Sequence, residues 1–238
     1  KNVTEQEILD TCAIAFEGGW NNVKLYFMMG LPGETDDDIV AIGRLADRVY
    51  EIAREVVPPA QRGGVSVSVS CSVFIPKAAT PFQWCAQTPD DEVRRRQQLL
   101  LRSVRNRAVR VHYHDAETSL IEAVLSRGGR DIADLVEAVW RLGARFDAWT
   151  EQFSLDRWEQ AAGEVGIDLR AVARTPYGLD ERLPWEHVSC GVSRGYLERE
   201  YRRALEGVTT PDCTRSSCTG CGVCPTLHVS NVLAGERS

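Results

Sequence analysis

The chain has 238 residues, of which 43% are hydrophobic and 26% charged, an ordinary composition for one large domain or a domain with an appendage. Its formal net charge of -6 argues against tight non-specific binding to nucleic acid or acidic membranes. No apolar stretch is long enough to cross a bilayer and no signal-peptide pattern opens the chain, so we expect a cytoplasmic protein without a membrane partner.

Helices and strands alternate through the first half of the chain. Thr4 and Glu7 form a capping box, and Thr35 precedes three aspartates that suit the positive end of a helix. This order predicts βα units with parallel strands. The predicted elements are a helix over 4–16, a strand over 23–29, a helix over 35–57, a strand over 65–74, a helix over 88–106 and a strand over 109–113.

The strand predicted over 65–74 alternates strictly between apolar and hydroxyl side chains. Alternation places Val65, Val67, Val69, Cys71 and Val73 on one face of the strand. The other face carries Ser66, Ser68, Ser70 and Ser72. These small side chains leave room for a ligand on that face.

From Ala116 onward the sequence predicts helices only, which indicates a domain boundary near Asp115. Five aromatic residues in this part are expected to form the core of a helical domain. The helices are predicted over 118–126, 132–142, 155–165 and 194–205. The aromatic residues are Trp140, Phe146, Trp149, Phe153 and Trp158.

Four of the eight cysteines lie within twelve residues near the C-terminus. In a chain without a secretion signal such a cluster indicates metal ligands rather than disulfides. The spacing, with a proline after the last cysteine, is similar to bacterial ferredoxin runs and favours a [4Fe–4S] cluster. Zinc and an unmetallated tail are the alternatives. The predicted ligands are Cys213, Cys218, Cys221 and Cys224.

Two segments resemble the fifth and sixth strands of the radical SAM partial barrel with the loops that follow them. They are residues 23–35, Val-Lys-Leu-Tyr-Phe-Met-Met-Gly-Leu-Pro-Gly-Glu-Thr, and residues 73–82, Val-Phe-Ile-Pro-Lys-Ala-Ala-Thr-Pro-Phe. Residues 1–8 resemble the helix before the fifth strand. The resemblance implies that Met28, Gly30, Phe74 and Ile75 contact the adenine of S-adenosylmethionine. The remainder resembles the C-terminal extension of an uncharacterised radical SAM family that often carries a cobalamin-binding domain.

The expected fold class is therefore α/β. Residues 1–115 would supply the last βα units of a partial, TIM-like radical SAM barrel, residues 116–207 a helical extension and residues 208–238 a cysteine-rich metal-binding tail. Because two strands cannot close a barrel, residues 1–113 are expected to be poorly stable alone.

The expected function is that of part of a radical SAM enzyme, acting on a substrate that the sequence does not identify. The resemblance implies a catalytic [4Fe–4S] cluster, S-adenosylmethionine, an electron donor such as flavodoxin or ferredoxin, and cobalamin in the full-length protein. The Cys-x-x-x-Cys-x-x-Cys loop that holds the catalytic cluster is absent and would lie upstream of Lys1. The chain alone should then not cleave S-adenosylmethionine. The alternative is a non-catalytic iron–sulfur or zinc-binding module.

Overall fold

A three-stranded parallel sheet is the centre of the first half of the protein. The computed structural model describes residues 3–231, and the strands of its sheet lie side by side in chain order, so that neighbours in sequence are neighbours in space. In the register of the sheet, Phe27 lies opposite Cys71, and Cys71 lies opposite Tyr113. The predicted α/β class and the parallel pairing are confirmed. The strands are β1 (Asn22–Met29), β2 (Ser66–Val73) and β3 (Val109–Tyr113).

Three helices accompany the sheet, and two of them begin where their capping residues predict. Thr4 and Thr35 each accept the backbone N–H of the third residue of their helix, and the acidic side chain there accepts the N–H of the threonine in return. These helices are α1 (Glu5–Glu17), α2 (Asp36–Val56) and α3 (Asp90–Ser103). A 3₁₀ turn over Pro59–Gly64 leads into β2.

One face of the sheet belongs to the apolar core of these elements. Val67, Val69 and Cys71 of β2 are completely buried, and Met29 of β1 is buried beside them. The serines that alternate with them are only half-buried. The predicted two-faced pattern of β2 is confirmed.

The described residues divide into two compact units. The first runs to Phe74 and resumes over Thr88–Ser119; the second comprises Ile75–Gln87 and the chain from Leu120. Residues 1–2 and 232–238, which belong to the predicted first and last domains, lie outside the described residues.

Among the described residues of the second unit, all regular secondary structure is helical, and turns and irregular chain connect the helices. Its apolar core is built mainly by the helices that begin at Ala116, Ile132 and Leu155, and Leu120, Leu135 and Ala161 are fully buried. The helix α4 (Ala116–Arg127) begins in the first unit and ends in the second. The others are α5 (Ile132–Arg141), α6 (Leu155–Val165), α7 (Leu169–Arg174), α8 (Arg194–Leu205) and α9 (Val223–Leu227). No helix between residues 3 and 231 has both the length and the apolar character that a membrane crossing requires.

A buried arginine connects separate segments of the second unit. Arg127 is fully buried and donates to the backbone carbonyls of Gln83, Cys85, Val172 and Thr175. Burial lowers the pKa of its guanidinium, but four carbonyl acceptors replace the water that the charged group has lost.

The prediction of an aromatic core in the helical part is correct only in part. Trp158 is buried, and its indole N–H donates to Asp147 at 2.8 Å. In contrast, Trp140, Phe146 and Trp149 are 56%, 77% and 62% exposed. Small and aliphatic residues of α4, α5, α6 and α7 fill most of the core instead, and these three rings lie at the surface.

Candidate functional site

The carboxyl ends of β1 and β2 meet at one edge of the sheet. The Phe74 N–H donates to the Met29 carbonyl at 2.7 Å, so the chain leaves both strands at the same level. Gly30 follows with a left-handed φ of +87°, and a Cβ there would lie 2.9 Å from the Thr88 hydroxyl oxygen. That hydroxyl donates to the Gly30 carbonyl at 3.1 Å. Glycine is therefore required for this close turn.

A buried ion pair holds the loop after β1. The Glu34 carboxylate accepts the Gly30 N–H at 2.7 Å and pairs with Arg96 of α3 at 2.5 Å. The two side chains are only 6% and 14% exposed. No local sequence pattern predicts this pair, because its members are 62 positions apart in the chain.

Three of the four residues predicted to contact S-adenosylmethionine lie at this edge of the sheet. Met28 is 46% exposed and lies opposite Ser72, Gly30 forms the turn, and Phe74 is half-buried beside it. The fourth, Ile75, is 7% exposed and is buried among the apolar residues of the second unit.

The face of the sheet opposite the apolar core is open and polar. The four serines of β2, called here the serine trough, form its middle, and the Asn22 amide donates to Ser66 at 3.0 Å. Tyr26 is 74% exposed on one side of the trough. The flanking side chains are Asn22, Lys24, Tyr26 and Met28 on β1, with Arg110 and His112 on β3.

No sequence motif connects Lys24, Tyr26 and Arg110 with a site. The alternation of buried and exposed residues in β1 and β3 is the signal that places them on one face. Which residues lie opposite each other follows only from the register of the strands.

The second candidate site is the cysteine loop, residues 213–224, which contacts the start of α8. The Ser193 N–H donates to the Cys221 carbonyl at 2.8 Å, and Arg199 donates to the Thr219 carbonyl at 3.2 Å. The Asn231 amide donates to the Cys213 carbonyl at 2.7 Å. The backbone of the loop is therefore held by hydrogen bonds at Cys213, Thr219 and Cys221.

The thiols of the cysteine loop are accessible. Cys218 is exposed, and Cys213, Cys221 and Cys224 are partly exposed. The Gly220 N–H donates a hydrogen bond to the Cys218 sulfur at 3.4 Å. Among residues 3–231, no three His, Cys, Asp or Glu side chains are arranged as a metal site.

The other four cysteines have different surroundings. Cys12 and Cys71 are buried, as their apolar faces predict, and burial raises the pKa of both thiols. The pKa of Cys71 reaches about 12, with a smaller contribution from the Glu34 charge. Burial also raises the pKa of Cys85, and Cys190 is exposed.

Comparison with known proteins finds one distant relative. The chain is 26% identical over 137 residues to the uncharacterized protein MJ0966 of Methanocaldococcus jannaschii. The match covers 58% of this chain and 28% of that relative, so the chain spans less than a third of the relative's length. No family model and no solved structure matches the chain.

Proposed function

We propose that the chain is the C-terminal portion of a radical SAM enzyme and supplies the last βα units of its partial barrel. The observation that carries the proposal is the sheet: three parallel strands in sequential order, with an apolar core on one face and an open polar face on the other. Parallel sheets usually have both faces covered, and a barrel interior is a natural role for the polar face.

The edge formed by Gly30 and Phe74 is the proposed adenine-binding position. Ligands of parallel α/β folds bind at the carboxyl ends of strands, and Gly30 and Phe74 follow β1 and β2 at that edge. Met28 offers a half-exposed apolar side chain on the same strand. Ile75 is less suited to this contact because it is buried in the second unit.

The proposed reaction is reductive cleavage of S-adenosylmethionine to methionine and a 5′-deoxyadenosyl radical, with the electron supplied by a donor such as flavodoxin or ferredoxin. The catalytic [4Fe–4S] cluster would be held by residues outside this chain. Cobalamin in the full-length protein is part of the same proposal.

The test is anaerobic incubation of the full-length gene product with S-adenosylmethionine and dithionite, followed by detection of 5′-deoxyadenosine. We expect product from the full-length protein and none from residues 1–238 alone. If the gene upstream of Lys1 encodes no Cys-x-x-x-Cys-x-x-Cys loop, or if the full-length protein gives no product, the proposal is wrong.

A second candidate function is a non-catalytic iron–sulfur or zinc-binding module, with the cysteine loop as its working part. The loop is supported by α8, its four thiols are accessible, and one of them already accepts a backbone N–H. Four thiolates suit either a cubane cluster or one zinc ion. As an auxiliary centre the loop is equally compatible with the radical SAM proposal.

Anaerobic reconstitution of the chain with iron and sulfide tests this loop. We expect one [4Fe–4S] cluster per chain, seen as broad visible absorption and by metal analysis. Cys221→Ser should reduce cluster content, whereas the matched control Cys190→Ser, outside the loop, should not. Zinc alone, with no charge-transfer absorption after reconstitution, would exclude the iron–sulfur assignment.

A further inference from the structure

Two cations face each other across the serine trough. The register places Lys24 of β1 opposite Ser68, and Ser68 opposite Arg110 of β3. Neighbouring strands are about 4.8 Å apart, so the two cationic residues are separated by about 10 Å with a hydroxyl between them. The arrangement joins three residues that are distant in sequence.

Neither Lys24 nor Arg110 has an acidic partner among residues 3–231. The Lys24 ammonium lies over the Tyr26 ring, 4.9 Å from its centre. None of the ten residues on this face is a carboxylate, although the chain as a whole carries a net charge of -6. The open face is therefore a local region of positive charge.

The neighbouring row adds hydrogen-bonding groups. Tyr26, Ser70 and His112 lie in register directly beside the first row, toward the carboxyl ends of the strands. A molecule lying along the trough from Ser68 to Ser72 would meet first the two cations, then hydroxyl and imidazole groups, and finally Met28.

We propose that the serine trough binds the phosphate group of the substrate, with Lys24 and Arg110 on either side of it and Ser68 beneath it. Donors from three directions suit a tetrahedral phosphate better than a planar carboxylate, which a single guanidinium can bind through both oxygens. The proposal rests on the proposed function, because it assigns the substrate class of the barrel interior.

Phosphate binding to the whole chain can be measured by NMR. Inorganic phosphate, titrated at constant ionic strength, should shift the backbone amide signals of Ser68 and Ser70. Lys24→Gln combined with Arg110→Gln should weaken binding by about tenfold or more, since two charge-assisted contacts are lost. The matched control, Arg44→Gln with Arg54→Gln, removes the same charge from exposed positions on α2 and should leave binding unchanged.

A steric variant separates this site from general charge effects. Ser68→Val keeps every charge and suits a strand, and it should also weaken phosphate binding. The proposal would be overturned if the trough double variant and the α2 double variant weakened phosphate binding equally. It would also be overturned if the Ser68 amide signal did not shift, or if acetate bound as tightly as phosphate. The titration contains no iron, reductant or S-adenosylmethionine, so its failure is distinct from failure of the proposed enzymatic activity.

Discussion

At the scale of single residues, the buried ionisable groups near the sheet have specific physical roles. Glu34 is shared between the Gly30 N–H and Arg96, and this arrangement joins the loop after β1 to α3. Cys71 lies in the centre of the core and is also influenced by the Glu34 charge. Both groups give predictions that need only the purified chain.

Replacing Glu34 should destabilise the first unit. Glu34→Ala leaves the Gly30 N–H without its acceptor and Arg96 without one of its two carboxylate partners, and we expect a loss of about 2 kcal/mol in the free energy of unfolding. Glu117→Ala is the control, since Glu117 forms an exposed ion pair with Arg94 and should contribute less than about 0.5 kcal/mol. Denaturant unfolding measures both values, and equal losses would contradict the assigned role of Glu34.

The raised pKa of Cys71 predicts a loss of stability at alkaline pH. Its thiol is neutral in both states below about pH 9, and between about 9 and 12 only the unfolded state ionises. The free energy of unfolding should therefore fall over this window, by at most about 1.4 kcal/mol per pH unit from this group. Cys71→Ala should reduce the slope and Cys190→Ala should not. An unchanged slope in Cys71→Ala would show that the thiol does not keep its proton.

At the scale of elements, capping residues determine where several of the helices begin and end. The helices α1 and α2 each begin with a complete capping box, and Gly166 ends α6 in the left-handed conformation. The short helices α7 and α9 were not predicted, because five or six residues carry too little periodicity to be distinguished from a turn.

Alanine variants at two glycines of the loop after β1 distinguish the cost of a left-handed backbone from the cost of a steric clash. Gly30 and Gly33 have similar φ values of +87° and +82°, but only Gly30 has a neighbour, Thr88, within reach of an added Cβ. We expect Gly33→Ala to cost about 1 kcal/mol from the left-handed backbone alone. Gly30→Ala should cost about 2 kcal/mol or more, because the Thr88 hydroxyl must also move. Thermal unfolding of the two variants tests this, and equal destabilisation would mean that the contact contributes nothing.

At the scale of the whole molecule, the two units have separate apolar cores. The core of the first unit contains Met29 and Val69, whereas that of the second contains Leu135 and Trp158. Among residues 3–231, β1 pairs only with β2, so its other edge has backbone groups without a strand partner.

The unpaired edge of β1 predicts that this strand is less protected from hydrogen exchange than the helices of the second unit. We expect amides of β1 to exchange much faster than those of α5 and α6, whose backbone hydrogen bonds lie within the helices. Mass spectrometry of peptides from the whole chain measures this directly. Strong and equal protection of β1 and the helices would show that the first unit is self-sufficient, contrary to the expectation for a piece of a larger barrel.

The sequence by itself determined the features that depend on near neighbours along the chain. Capping residues located α1 and α2, strict alternation identified the two faces of β2, and spacing alone brought four cysteines into one loop. Helical and strand periodicity involve residues a few positions apart, so local sequence carries this information.

Only the tertiary structure decided which distant residues meet. The pairing of Glu34 with Arg96, the burial of Ile75 in the second unit and the exposure of Trp140 follow from how elements pack. The meeting of Lys24 and Arg110 across Ser68 requires the register of three strands. A shift of one residue in that register would turn a strand's side chains to the opposite face, and burial of the valines selects the observed register.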